Sequence, residues 1–376
     1  MSVYAFDFKD TDALLIGLSQ FGTGGGGDPE WGRKILDKDR SKGRICQLID
    51  PEDVEDDAFV CSGGIMGSVK ALEKLSYQDI VDGWEDDFVL IKAFREMERV
   101  MGKKLDYIIP FEAGGLNTPV IMTLAARMGI PMINGDAVGR SAPETQMTSF
   151  IGLGLSLTPM PLVDHLGNKI VVMESLEPTY ADEIGRFVVT KGGGLGGNAH
   201  YPMSGADLKR CCIPNIVTDA ITYGRAMLDA RKKKEDPVDA FLKVANGMKL
   251  FEGMIEDIIA EDALGFYLTR VRVKGEGVYK NHHLETVIKN ETMAVWVDGE
   301  IRVIFPDIAF IVNPESGEGL MSAALEIGQQ ISFVGKPCHE RMQEALKSSI
   351  GAKAFSGERY GCPQLEYVPF NKLNKY

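Results

Sequence analysis

The stretch 106–134, DYIIPFEAGGLNTPVIMTLAARMGIPMIN, leaves the fewest choices open. The apolar run DYIIPFE passes through AGGLN into a segment of helical periodicity. Thr118 stands where a cap is wanted, and Pro119 takes the first helical position, where its missing N–H costs nothing. Gly129 stops the helix and IPMIN opens a second strand. Strand, helix and strand in so short a span make a β-α-β unit, with parallel strands and a right-handed crossover. Ligands of such a sheet bind beyond the carboxyl ends of its strands. Glu112 and its glycines fall at one such end, and Asn134, Gly135 and Asp136 at the next. The run VCSGG (60–64) ends a third strand on the same side.

Around this unit the pattern predicts an α/β N-terminal part with parallel strands and Gly-rich loops, followed by a β-rich C-terminal module. VYAFDF reads as a short first strand. TDALLIGLSQF reads as a helix capped by Asp12, and DPEWGRKILDKD as a second, with Asp28 as cap and Pro29 at its first position. Further on, VDHLGNKIVVMES predicts a strand, a turn carrying His165 and a strand, PTYADEIG a helix and RFVVT a strand. KGGGLGGNAHYPMSG (191–205) reads as a second glycine loop. Helices fill 205–247, and β-type runs fill 248–376. The expected division is 1–167 for an N-terminal domain and 168–376 for a C-terminal one.

Net charge is −13, from 54 acidic and 41 basic residues, which repels a phosphate backbone and argues against a nucleic-acid partner. No apolar run is long enough to span a bilayer, and the acidic start MSVYAFDFKDTDA does not resemble a signal peptide. The expected location is the cytoplasm. Six cysteines without a C-x-x-C argue against a disulfide framework or a four-thiolate zinc site, and five histidines oblige any metal site to lean on carboxylates.

The stretch FGTGGGGDPEWG (21–32) is a formal match to the dinucleotide pattern G-x-G-x-x-G, with Asp50 in the place of a ribose-binding acid. That fingerprint must follow a strand, whereas a helix precedes this one, and no Gly-Lys-Ser/Thr is present. The better reading is a wall of backbone donors, Gly24, Gly25 and Gly26, approaching a small ligand closely. Several glycine-rich loops are expected to converge on one crevice. Its polar equipment would be Glu112, Asp136, Arg140, Glu144 and His200, with Asn117 and Asn198 beside the substrate. His200 is a candidate metal ligand or general acid/base. Cys61 is either a nucleophile or a packed thiol, the latter being commoner. Asn290-Glu291, between the apolar halves ETVIK and MAVWV, suggests a contact between domains.

GTGGGGDPEWG, GGIMGS, PFEAGGLNTP, NGDAVGRSAPE and KNETMAVWVDGEIRVIFPDIAFIV, in this order, resemble the S-methyl thiohydantoin desulfurase family over nearly the whole chain. The resemblance implies an N-terminal and a C-terminal unit and hydrolysis of a small heterocycle, with water replacing the sulfur substituent. It also implies zinc, for which His200, Asp136 and Glu112 are the candidate ligands in this sequence. Members related to hydantoinase and oxoprolinase proteins imply an alternative, a non-catalytic or regulatory subunit of such an enzyme. A homo-oligomer or a hydantoinase-like partner is therefore expected beside the heterocyclic substrate. The dinucleotide-dependent enzyme remains the third reading.

Overall fold

The computed structural model describes residues 2–23, 25, 27–67, 77–263 and 266–374, so Gly24 and Gly26 lie outside the described residues. Its organising unit is the expected one. Tyr107–Pro110 leads into the helix Asn117–Met128, and Met132–Ile133 returns parallel, Ile108 lying opposite Met132. Gly129 ends the helix at φ +67°, its N–H reaching Ala125 O. Thr118 and Pro119 are the second and third residues of the helix, not its cap and first position; the Thr118 hydroxyl accepts from Gly114 N at 3.3 Å and ties the glycine turn to the helix.

Among the described residues, eight strands form the first sheet. Its order is Tyr4–Ala5, Gln47–Ile49, Met132–Ile133, Tyr107–Pro110, Phe59–Gly67, Leu195–Ser204, Met160–Asp164 and Lys169–Val172. The four strands from Gln47–Ile49 to Phe59–Gly67 are mutually parallel, and the others pair antiparallel. The helices Thr11–Phe21, Pro29–Ser41, Val89–Met101 and Asn117–Met128 contribute to one continuous core with this sheet. Asp28 caps the second helix through Glu30 N at 2.8 Å, as expected. Asp12 lies inside the first turn of its helix instead of capping it.

Two segments depart from expectation. RFVVT is not a strand but the end of the helix Pro178–Lys191, whose inner face carries Ala181, Gly185 and Val189 at helical spacing. The second glycine loop is largely the strand Leu195–Ser204. Its glycines serve contact: a Cβ on Gly197 would stand 2.8 Å from Leu90 Cα, and one on Gly196 2.7 Å from Val189 Cγ1. Glycine here lets two helices pack closely against the strand. This strand belongs to the first sheet although it lies beyond residue 167.

Among the described residues seven antiparallel strands, running in order Glu300–Ile304, Glu291–Val297, His283–Lys289, Phe266–Gly275, Met248–Ala263, Gln330–Lys336 and Ile308–Val312, form a C-terminal half-barrel. Between the two sheets lies a second core, joining Val60, Ile109, Phe111 and Tyr201 to Val287, Met293 and Phe305. No helix among the described residues is long and apolar enough to cross a membrane.

Candidate functional site

The polar equipment collects where the carboxyl ends of the parallel strands meet the half-barrel. Glu112 lies two residues past the end of the strand Tyr107–Pro110. Its Oε1 accepts from Asn117 Nδ2 at 2.6 Å, and its Oε2 accepts from Ala142 N. It also lines a narrow crevice with Gly63, Gly64, Ile65, Phe111 and Asn117. Desolvation, then the charge of Glu291, pushes its carboxyl well above the usual range, and Asp136 adds to the same push.

Asp136 is fully buried. Its Oδ1 accepts from Gly139 N at 2.7 Å and Val138 N at 3.1 Å, and its Oδ2 has no partner. Burial raises its pKa to about 8, against the pull of those amides and of the Ala113 backbone. Asp136 is therefore mostly protonated at neutrality, with an unpaired O–H to offer.

Glu291, buried at 2% exposure, opens a strand of the half-barrel and brings the third carboxyl. Burial lifts it to about 7, with the Arg140 guanidinium as the main opposing influence, and its Oε2 has no partner. Gly25 lies directly against it: a Cβ there would stand 2.1 Å from Glu291 Oε1. Gly22 and Gly27 pack on the loop after Tyr107–Pro110, where a Cβ on Gly27 would stand 2.2 Å from Leu116 Cβ. Gly22, Gly25 and Gly27 thus wedge between that loop and Glu291.

Arg140 and Glu144 are occupied differently. Arg140 donates to the carbonyls of Thr292 (3.0 Å), Asp307 (2.9 Å) and Ser141 (3.2 Å), with its guanidinium 4.8 Å from the Phe305 ring centre. It fastens the half-barrel to the glycine-rich segment beside Glu291 and stays charged at neutrality, its pKa lowered by burial to about 10. Glu144 pairs with Lys289 at 2.5 Å and with Arg359, and accepts from Gln146 Nε2 at 2.7 Å. Both its oxygens are engaged, which suits an anchor more than a proton carrier.

His200 stands on a buried strand, edge-on to Phe111 at 5.4 Å and Tyr201 at 5.2 Å, and neither ring nitrogen has a partner. Desolvation lowers its pKa to about 3, so the imidazole is neutral. Asn198 accepts from Gly64 N at 3.2 Å and supports the crevice wall. Cys61 is buried within its strand, its thiol donating to Ser62 O at 3.0 Å, and burial holds it protonated. Such a thiol is a poor nucleophile.

A zinc ion asks for three or four protein ligands converging on one point. Among the described residues no group of three His, Cys, Asp or Glu side chains is so arranged. His200, Asp136 and Glu112 do not form a ligand set in this arrangement.

Sequence reasoning placed Glu112 and Asp136 together but gave Glu291 no chemical role. Its only sequence signal is the polar pair interrupting two apolar strand halves, with Asn290 left-handed at φ +60° to make the break. Ser62, also buried and unpartnered, gave no signal beyond its place before two glycines.

A parallel-centred α/β sheet roofed by an antiparallel half-barrel, with protonatable carboxyls buried at their seam, defines a two-part α/β protein. The chain belongs to the S-Me-THD-like family: that family's N-terminal domain matches residues 9–174 and its C-terminal domain residues 177–370. The crystal structure of a protein from Chromobacterium violaceum shares the fold at a TM-score of 0.77 and 19% identity, over 98% of this chain and 100% of that one. No curated protein shows significant similarity.

Proposed function

We propose that the protein hydrolyses a small heterocycle of the S-methyl thiohydantoin type, with Glu291 and Glu112 as base and acid. The observation that carries this reading is the pair itself, two buried carboxyls from opposite sheets, both pushed up by desolvation, with the charge of Glu291 raising Glu112 further. Two such groups share one proton near neutrality, and unequal environments divide the roles. Glu112, pushed up by the charges of Glu291 and Asp136, keeps the proton; Glu291, near 7 with the Arg140 guanidinium opposing its rise, is ionised often enough to accept one from water. The family's description supports a thiohydantoin-related substrate.

The electrophile is the ring carbon carrying the S-methyl group and doubly bonded to nitrogen. Glu291 takes a proton from water as its oxygen bonds to that carbon. Glu112 delivers a proton to the ring nitrogen, whose double bond to carbon becomes single. As the tetrahedral centre collapses to a carbonyl, its hydroxyl proton passes to the Glu112 carboxylate, the C–S bond breaks, and the proton held by Glu291 leaves with the sulfur. One ring and one water give one hydantoin and one methanethiol, and both carboxyls end in their starting states. The unpaired O–H of protonated Asp136 supplies a fixed donor for developing negative charge. Glycine walls admit the ring close to the backbone.

The test is methanethiol release by the full-length protein from a panel of S-methyl thiohydantoins. Turnover that falls about 100-fold or more in Glu112→Gln supports the reading. Folded wild-type protein that releases none overturns it and favours a non-catalytic partner of a hydantoinase-like enzyme.

A further inference from the structure

Two buried polar side chains beside the crevice take no part in that chemistry. Ser62 and His200 lie opposite one another in the antiparallel pair Phe59–Gly67 and Leu195–Ser204. Directly opposed residues project to the same face with their Cβ atoms about 5 Å apart. Ser62 is wholly buried and His200 1% exposed, yet neither the Ser62 hydroxyl nor either His200 nitrogen has a hydrogen-bond partner. Leaving such atoms unpaired costs about 1–3 kcal/mol each, so folding alone gives no reason for polar side chains here. Their surroundings point to a ligand. Ser62 immediately precedes Gly63 and Gly64, and His200 stands edge-on to Phe111, all three being wall residues of the crevice that ends at Glu112.

We infer that Ser62 and His200 form the floor of the heterocycle site and read the ring's amide edge, a carbonyl with its neighbouring N–H. The inference rests on the proposed function and names the part of the substrate that the carboxyls do not touch. A neutral imidazole has one acceptor nitrogen and one donor nitrogen, and a hydroxyl can do either. The acceptor nitrogen of His200 takes the ring N–H, while the Ser62 hydroxyl donates to the adjacent carbonyl. The sulfur-bearing carbon, on the other flank of that ring nitrogen, then faces Glu112 and Glu291. A site of this kind rejects a ring that lacks the N–H, because the imidazole acceptor would stay unpaired and dry.

The test is calorimetric binding of hydantoin, which has no sulfur to lose, and of its N-methylated imide analogue, to wild type, Ser62→Ala and His200→Phe. The phenyl ring keeps the edge contacts with Phe111 and Tyr201, and the alanine removes only a hydroxyl. The expected result is wild-type preference for hydantoin over the analogue and about ten-fold weaker hydantoin binding in Ser62→Ala. In His200→Phe the preference disappears, and Tm is unchanged or raised in both variants. Folded variants with wild-type affinity and discrimination overturn the assignment and leave the proposed function standing. Wild-type protein that binds neither hydantoin nor an S-methyl thiohydantoin overturns both.

Discussion

Replacing Asp136 by asparagine should alter how stability depends on pH. Its carboxyl is raised from 3.8 to about 8 by burial. Between those values the native state holds a proton that the unfolded chain has released. The native state thus binds more protons there, and stability is lost as pH climbs from about 4 to about 8. Below about pH 4 both states are protonated and the penalty vanishes. At 1.36 kcal/mol for each pKa unit, ionising Asp136 in place costs at most about 6 kcal/mol, and relaxation around the charge roughly halves that. Asparagine keeps the Oδ1 acceptor for Val138 N and Gly139 N and cannot ionise. Urea unfolding of both proteins, followed by circular dichroism at pH about 5 and about 9, should show wild type losing about 2–3 kcal/mol more than the variant. Glu112 and Glu291 titrate in both proteins, so they largely cancel from the difference. Parallel losses would refute a buried, protonated Asp136.

Gly25→Ala should cut turnover by at least about ten-fold with a smaller effect on Tm, because its Cβ would fall 2.1 Å from Glu291 Oε1 and displace the carboxylate; wild-type kcat in this variant would show that the close approach is not needed. Glu144→Gln leaves Lys289 buried beside a neutral partner and should cost about 3 kcal/mol in chemical denaturation, while the protein that remains folded keeps its kcat. A stable but inactive Glu144→Gln would instead place Glu144 in the chemistry.

The β-α-β unit was legible because each of its signals is local: Pro119 at the helix start, Gly129 at its stop and apolar runs on either side. The same locality misled at 191–205. Glycine spacing that looks like a loop is equally what a strand needs when Leu90 and Val189 press on it, and only the packed helices decide between them. RFVVT, rich in β-branched residues, continues a helix because Gly185 and Val189 extend a buried stripe already begun at Ala181. Glu112 and Asp136 could be placed from strand ends alone. Glu291 could not, because its partners Gly25 and Arg140 come from far along the chain and meet it only when the half-barrel docks. Charge pairing hid Glu144 in the same way: Lys289 and Arg359 lie in the C-terminal half, and no sequence spacing connects them to it.

The coupled pair of Glu112 and Glu291 is tested most directly by the pH dependence of kcat/KM for methanethiol release by wild type and Glu291→Gln. Wild type should show an ascending limb near pH 7, from ionisation of Glu291. Glu291→Gln should lose that limb and about 100-fold or more in rate. A variant with the wild-type rate and the same limb would contradict the account.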